Sequence, residues 1–372
     1  MNEDRLLSTF LDLVRIGCPS LHEAPVAAYC RRELEAAGCT VVEDDTREQT
    51  GSDTGNLIAT LPGTLPGKVF FDAHMDSVEP CTGVNPQMRD GVIWSDGTTV
   101  LGGDDKVGVA SIIELMRSLA ECDEPHPTVV GILTVGEEIG LLGSRAVSAD
   151  LFEGGEPCFV LDDSEHPGTV TLAAPTHYVF TATFTGKAAH AGVCPEAGIS
   201  AIQMAADAIA HMPLGRLDQR TCANVGTISG GTADNVVAAQ AVITGECRSL
   251  EPLSVMGVKD RIQQACDQAA AARGGSVEVA WTKEYDGYDI PEDHPAVQVL
   301  RDAAASCGFA FNTLISLGGS DANVLGSKGC VPLVLGTGMT DFHTTTEHLA
   351  VGDLIGTCQL ALAIVRRMGD RG

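Results

Sequence analysis

Short apolar runs in this chain alternate with longer segments in which apolar residues recur every three or four positions. Four runs are typical of strands buried on both faces of a parallel sheet, namely 68–73, 128–135, 158–162 and 331–336. Helical spacing fills segments such as 106–119 and 353–368. Strands that alternate with helices in this way predict a mixed, mostly parallel α/β sheet with helices on both faces.

The middle of the chain has a different pattern. Between about 177 and 284, a strand is followed by a helix, two strands, a second helix and a last strand. This βαββαβ order predicts a ferredoxin-like α+β unit. A chain of 372 residues is also long enough for two domains. We expect the α/β domain to comprise 1–174 and 287–372, with an inserted domain over 175–286.

Composition and charge exclude several classes of partner and location. A net charge of -27 argues against nucleic acid and anionic membranes as partners. Thirteen cysteines without a CxxC pair indicate buried thiols in a reducing compartment, with Cys18, Cys81, Cys158 and Cys330 expected in the core. The first sixteen residues predict an amphipathic helix, not a signal peptide, and no stretch is long and apolar enough to span a bilayer. We expect a soluble, cytoplasmic protein.

Side chains that bind metals lie beside the predicted strand ends. They are His74 in FDAHMD, Asp104 in LGGDDKVG, Glu137 and Glu138 in TVGEE, Asp162 in FVLDDS, and His343 in DFHTTTE. All but Asp104 follow the carboxyl end of a strand, where ligand sites of open α/β sheets collect. Imidazoles and carboxylates together suit zinc, manganese or cobalt. The working hypothesis is a hydrolase with two divalent metal ions.

The motifs HMD, GGDDK and GEE, in this order, resemble the M20 metallopeptidase family, and within it the peptidase T branch of aminotripeptidases. The resemblance runs from near residue 74 to near residue 343. It implies a two-metal site in which Asp104 bridges the ions. It further implies that His74 and Asp162 complete one metal site, and that Glu138 and His343 complete the other. Zinc is the first expectation for both ions, with manganese or cobalt as alternatives.

The same resemblance assigns roles around the metals. It makes Glu137 the general base, which would take a proton from the attacking water and pass it to the leaving amine. It makes Asp76 the carboxylate that orients His74, and it implies a cis peptide bond between Asp104 and Asp105. Simpler readings exist, because paired glutamates often begin an exposed helix and an aspartate often caps one.

Three residues of the inserted domain match positions that the family uses against substrate: His190, Asn235 and Arg248. The resemblance implies that His190 stabilises the oxyanion, acting across to a neighbouring subunit, and that Arg248 pairs with a peptide carboxylate. It also implies a homodimer formed through the inserted domain, acting as a lid. The alternatives are an ordinary loop histidine, a turn asparagine and a surface arginine.

Asp162 decides the expected reaction. Aspartate at this position is similar to the aminopeptidase members, so we expect release of the N-terminal residue from tripeptides or similar short peptides. The alternatives are another M20 amide hydrolase, such as a carboxypeptidase, dipeptidase or N-acyl amino acid deacylase, and a metal-binding or peptide-binding protein without catalysis. Asp163 departs from the glycine of peptidase T and is a competing acid, and Glu347 either supports His343 or faces solvent.

Overall fold

The computed structural model describes residues 1–122 and 124–369. The end of the expected α/β domain, 370–372, lies outside the described residues. The helices are α1 (Glu3–Arg15), α2 (Ala24–Ala36), α3 (Thr46–Thr50), α4 (Gly103–Ala120), α5 (Leu142–Ala146), α6 (Ala201–His211), α7 (Pro252–Arg273), α8 (Pro295–Cys307), α9 (Asp321–Ser327) and α10 (Val351–Gly369).

The strands fall into three sheets. They are β1 (Thr40–Glu43), β2 (Leu57–Leu61), β3 (Leu65–His74), β4 (Gln87–Arg89), β5 (Val92–Trp94), β6 (Pro127–Thr134), β7 (Pro157–Asp163), β8 (Thr169–Ala174), β9 (Thr176–Thr185), β10 (Gly215–Asp218), β11 (Thr221–Gly230), β12 (Gln240–Ser249), β13 (Ser276–Tyr285), β14 (Tyr288–Asp289), β15 (Asn312–Ile315), β16 (Val331–Gly336), β17 (Met339–Thr340) and β18 (His348–Ala350).

Two compact units divide the chain. The first comprises Met1–Leu172, Ile290–Ile315 and Ser320–Gly372, and the second comprises Ala173–Asp289 and Ser316–Gly319. The large sheet of the first unit has the order β1-β2-β6-β3-β7-β16-β8, and its four central strands β6, β3, β7 and β16 run parallel. These are the four strands that the apolar runs predict. The expected α/β class is therefore confirmed, with antiparallel strands added at the edges.

Burial explains the continuous apolar runs. The residues of β3 from Val69 to His74 are all buried, as are those of β7 from Pro157 to Leu161. Helix α4 is buried along nearly its whole length and packs against β3, α1 and α10. Since strands of this kind are covered by helices, their carboxyl ends are the part of the sheet left for a ligand site.

A four-stranded sheet of very short strands also belongs to the first unit, in the order β17-β18-β5-β4. The connection between β17 and β18 contains His343. A tight turn at Asp90 and Gly91, both with positive φ, joins β4 to β5. This sheet is not among the elements expected from the sequence pattern, although a DG pair at a turn is a hairpin signal.

The second unit is an antiparallel sheet, β10-β11-β12-β9-β13, with helices α6 and α7. The order of β13, β9, β12 and β11 in the sheet, with the chain running β9-α6-β11-β12-α7-β13, is that of a ferredoxin-like unit. This part of the fold prediction is confirmed. Strand β10 is an addition that the sequence pattern did not indicate.

The burial of four cysteines and the apolar character of the helices bear on two expectations from the sequence. The four cysteines expected in the core, Cys18, Cys81, Cys158 and Cys330, are buried thiols. Within residues 1–122 and 124–369, no helix has the length and apolar character needed to cross a membrane.

Candidate metal centre

Asp104 lies between two histidines. Its Oδ1 is 2.8 Å from His74 Nε2, and its Oδ2 is 3.1 Å from His343 Nε2. His74 ends β3, whereas His343 has a positive φ of 62° in the β17–β18 connection. Asp104 and Asp105 have non-helical φ/ψ angles at the start of α4, and the peptide bond between them is cis. Each oxygen of Asp104 therefore faces a different imidazole.

A further carboxylate stands beside each histidine. Glu138 Oε2 lies 3.0 Å from His343 Nε2, and Asp162 Oδ1 lies 3.9 Å from His74 Nε2. The structure thus brings together all five residues that the resemblance predicts as ligands. One donor atom from each of His74, Asp104 and Glu138 lies within 4.8 Å of the others, and the same holds for His74, Asp105 and Asp162.

This donor set fits divalent cations. Two imidazoles converge with several carboxylates, the mixed nitrogen and oxygen ligation that suits zinc, manganese or cobalt. Asp105 adds to the excess of acid, because its buried Oδ2 has no hydrogen-bond partner among the described residues. Asp105 is not among the donors expected from the sequence. A cluster with this many carboxylates is electrostatically suited to cations.

Without a cation, the charges in the cluster shift the pKa values of its members. Contacts with Asp104 and Glu138 raise the pKa of His343 to about 10. Burial opposes the charged form of His74, but neighbouring carboxylates raise its pKa well above the ordinary value. Burial and repulsion from Asp104 raise the pKa of Asp162. In the metal-free protein, protons therefore occupy groups that metal ions would need as ligands.

Asp76 links His74 to the loop that carries Glu137 and Glu138. His74 Nδ1 lies 3.4 Å from Asp76 Oδ1 and 3.2 Å from the Asp76 carbonyl oxygen. The same carboxylate accepts the backbone N–H groups of Glu137 at 3.1 Å and Glu138 at 3.3 Å, and the hydroxyl of Ser20 at 2.6 Å. Asp76 is fully buried, so one acid fixes both an imidazole and two backbone groups of the following loop.

Glu137 and Glu138 follow β6 in the loop that Asp76 holds. The side chain of Glu138 faces His343, whereas that of Glu137 makes no such contact with the imidazole among the described contacts. Burial raises the pKa of the Glu137 carboxyl well above its ordinary value, and the nearby Asp321 and Glu138 carboxylates add to the effect. A glutamate with a raised pKa beside a ligand cluster has the character of a general base and acid.

Known proteins resemble this chain along its whole length. Residues 177–273 match the peptidase dimerisation domain M20_dimer, and residues 56–156 match peptidase family M28. The chain is 40% identical over 366 residues to the uncharacterized protein YqjE of Bacillus subtilis, with 98% of each chain covered.

Two solved structures give the enzyme class. The aminopeptidase PepT from Bacillus cereus superposes with a TM-score of 0.92 at 39% identity, over 99% of each chain. A tripeptidase from Staphylococcus aureus superposes with a TM-score of 0.95 at 34% identity, over 100% of each chain. The chain belongs to the M20 peptidases, in their peptidase T-like branch. The family predicted from HMD, GGDDK and GEE is therefore confirmed, and the chain is an enzyme.

In this M20 peptidase, Glu347 has a clear place. It is buried, and its Oε2 accepts the Gly102 N–H at 2.8 Å while its Oε1 accepts the Asp104 N–H at 3.1 Å. The sequence left open whether Glu347 supports His343 or faces solvent. The structure shows a third arrangement, in which a residue four positions after His343 holds the backbone that carries Asp104.

Asp163 is engaged away from the ligand cluster. Its Oδ1 accepts the Glu165 N–H at 3.0 Å and its Oδ2 accepts the Thr171 hydroxyl at 2.6 Å. Successive side chains of a strand point to opposite faces, so Asp162 and Asp163 diverge. Both oxygens of Asp163 thus hold the β7–β8 turn, which removes the reason to regard it as a competing acid.

The three expected substrate residues lie in the second unit of the peptidase. The segments of His190 and Asn235 are adjacent, because the Ala191 N–H donates to the Asn235 carbonyl at 2.9 Å, and both side chains are exposed. Arg248 is half-buried, with Nη2 2.8 Å from Glu246 Oε2 and Nη1 3.2 Å from the Leu317 carbonyl oxygen. Glu246 is not among the residues expected from the sequence, since a charged residue in an alternating strand usually faces solvent.

Proposed function

We propose that this peptidase is a dinuclear zinc aminopeptidase that releases the N-terminal residue of tripeptides and similar short peptides. Manganese and cobalt are the alternative metals. The proposal rests on Asp104, whose two oxygens face two different histidines. A carboxylate in this position is suited to bridge two cations that share a water. Likeness to an aminopeptidase and to a tripeptidase supports the reaction.

The proposed ligands follow from the pairs of contacts. His74 and Asp162 would hold one ion and Glu138 and His343 the other, with Asp104 common to both. The chemistry that bound divalent ions supply at such a site is polarisation of the scissile carbonyl and a lowered pKa of water. The protein itself must supply the proton transfer and the alignment of the peptide.

Glu137 would perform the proton transfer. Its carboxylate takes a proton from the attacking water and then donates that proton to the nitrogen of the leaving amine. The raised pKa of Glu137 favours this second step, because the carboxyl holds the proton until the amine needs it. Asp76 contributes by holding both His74 and the backbone of Glu137.

The second unit would bind the substrate and the second copy of the chain. In this proposal His190 stabilises the oxyanion, Asn235 contacts the peptide and Arg248 pairs with the peptide carboxylate. Support for a homodimer comes from β11, which pairs with β10 only through Thr221–Ala223. The remaining outer edge of β11 has no partner strand among the described residues, and open strand edges favour pairing with another chain.

The proposal also covers the roles of the two domains and the location of the protein. Residues 1–174 and 287–372 form the catalytic domain, and residues 175–286 form the lid and dimerisation domain. The protein works in the cytoplasm, where its thirteen thiols stay reduced.

The test is hydrolysis of one tripeptide in three forms: free, N-acetylated and C-amidated. Protein stripped with a chelator is supplied with zinc, manganese or cobalt, and products are identified by mass. We expect metal-dependent release of the first residue from the free form, slower release from the C-amidated form, which lacks the carboxylate proposed to pair with Arg248, and no release from the N-acetylated form. Glu137→Gln is the matched control, since it should lose activity by a factor of about 10²–10⁴ while binding the same amount of metal.

Other products would point to the alternatives. Release of the last residue or of the acetyl group would indicate a carboxypeptidase or a deacylase. Absence of cleavage in all three forms, with metal bound, would contradict the aminopeptidase proposal.

A further inference from the structure

Side-chain oxygens from elsewhere in the chain accept four consecutive backbone N–H groups, those of 135–138. Asn56 Oδ1 accepts from Val135 at 3.1 Å, Glu23 Oε1 accepts from Gly136 at 2.9 Å, and Asp76 accepts from Glu137 and Glu138 at 3.1 and 3.3 Å. Two of the three acceptors, Glu23 and Asn56, are fully buried and are not among the expected site residues. The backbone that carries Glu137 is thus held by an array of buried polar groups.

Of these acceptors, Glu23 is the most distant in sequence from the N–H group that it accepts. It lies immediately before α2, and its Oε1 accepts the Leu21 N–H at 2.8 Å as well as that of Gly136. Its Oε2 accepts the Ser52 hydroxyl at 2.6 Å. Three segments of the chain therefore meet at one carboxylate, and each of its hydrogen bonds has a defined direction.

We propose that Glu23 is a positioning residue for Glu137, acting through the peptide N–H of Gly136. Gly136 directly precedes Glu137 and has a φ of 60°, so rotation of this peptide would redirect the glutamate that follows. Proton transfer depends on geometry so steeply that a displacement of about 1 Å can cost about a hundredfold in rate. The inference rests on the proposed role of Glu137 as general base.

The hydrogen bonds indicate that the position of the Glu23 Oε1 atom matters for holding Gly136, and that the negative charge of Glu23 does not. Both backbone N–H groups donate to the same oxygen, Oε1, which the amide oxygen of glutamine can replace. The glutamine NH₂ can then donate to Ser52, because a hydroxyl accepts as readily as it donates. Aspartate would keep the charge but withdraw the carboxylate from Gly136 by one methylene. The two substitutions therefore separate the alternatives.

The experiment compares Glu23→Gln with Glu23→Asp in the full-length, zinc-loaded protein. We expect Glu23→Asp to lower kcat about tenfold with KM and zinc content unchanged, since Asp76 still holds the next two N–H groups. We expect Glu23→Gln to keep a kcat close to that of the unmodified protein. Glu114→Asp is the matched control, because Glu114 is a buried acid of α4 paired with Arg5. It should lower the melting temperature without lowering kcat.

The outcomes decide separately on this inference and on the proposed function. A kcat for Glu23→Asp that equals that of Glu114→Asp, or exceeds that of Glu23→Gln, would overturn the positioning role. If Glu23→Asp does not fold, Ser52→Ala removes the hydroxyl that donates to Oε2 and that also accepts the Thr54 N–H at 3.3 Å. An unchanged kcat at full zinc content would then overturn the role instead. An unmodified protein without metal-dependent peptidase activity would contradict the proposed function itself.

Discussion

The two units each contain a cluster of histidine and carboxylate, and the clusters differ in charge balance. In the second unit, Glu246 Oε2 lies 2.8 Å from Arg248 Nη2 and 2.7 Å from His177 Nε2. The contact with His177 is close but is not a well-aligned hydrogen bond. These contacts, with His177 first, lower the pKa of Glu246 to about 2. In the first unit, by contrast, the pKa values of Asp162 and Glu137 are raised by burial.

In the second cluster the carboxylate charge is balanced by groups of the same chain, whereas in the first cluster the carboxylates are in excess. Glu246 has a guanidinium beside it, so the second cluster is satisfied within the chain and fixes the direction of Arg248. The carboxylates of the first cluster outnumber its histidines, and the raised pKa values of Asp162 and Glu137 favour their protonated forms in the absence of metal. Buried acids without a countercharge are costly unless they are protonated or bind a cation. Three predictions test this contrast.

Metal and protons should exchange at the first cluster. His343, with a pKa raised to about 10, and His74, with a pKa well above ordinary, both carry a proton at neutral pH in the metal-free protein. Each zinc ion must displace the proton of its own histidine, so the zinc affinity of each site should fall by about tenfold for each pH unit below neutrality. Proton release during zinc titration is measured with an indicator dye in weak buffer, and at least one proton per histidine is expected.

Two variants sharpen this measurement. His343→Gln should reduce the number of protons released, because one of the two donors is gone. His177→Gln, in the second cluster, should leave the number of released protons unchanged. Zinc binding with no proton release would contradict the contrast between the clusters.

Glu347 gives the next largest expected effect. It holds the backbone of Asp104 with two separate oxygens, one for each N–H group. Glu347→Gln leaves only one accepting oxygen and turns an NH₂ toward the other N–H. Partners that orient ligands in this way typically contribute about ten- to a hundredfold in metal affinity. We expect a loss of that size in zinc affinity, measured by competition with a chelating dye.

Glu114→Gln is the control for this substitution. Its carboxylate is buried but pairs with Arg5, so zinc affinity should not change. Equal losses in the two variants would mean that Glu347 acts only through general stability.

The sequence predicts that the histidines and carboxylates of the first cluster lie near one another, because each of them sits in a local motif. His74, Glu138 and Asp162 each follow an apolar run, and that run fixes both the strand and the end at which the residue lies. The contacts of Glu23 with Gly136 and of Glu347 with the Asp104 backbone were not predicted, because each joins segments distant in sequence and the surrounding residues give no periodic signal. The small sheet around His343 was missed for a related reason, since strands of two or three residues are too short to show alternation.

A substitution in the second cluster should have the smallest effect of the three, and this effect on stability depends on pH. The pKa of Glu246 is lowered to about 2 from an ordinary value of 4.5, so its charge stabilises the fold fully above pH 4.5. That contribution is lost as the pH falls toward 2. Glu246→Gln should therefore reduce the free energy of unfolding by about 1 kcal/mol at pH 7, and by less at about pH 3.

Fluorescence can follow the second unit alone. The chain has two tryptophans, and Trp281 in β13 packs against Phe180 of the same unit. In a Trp94→Phe background, urea unfolding followed through Trp281 reports the effect of Glu246→Gln. Asp286→Asn, which breaks the exposed ion pair with Lys283, is the control and should have a smaller effect at pH 7. A destabilisation by Glu246→Gln that is equal or larger at low pH would show that the negative charge of Glu246 is not what stabilises this cluster.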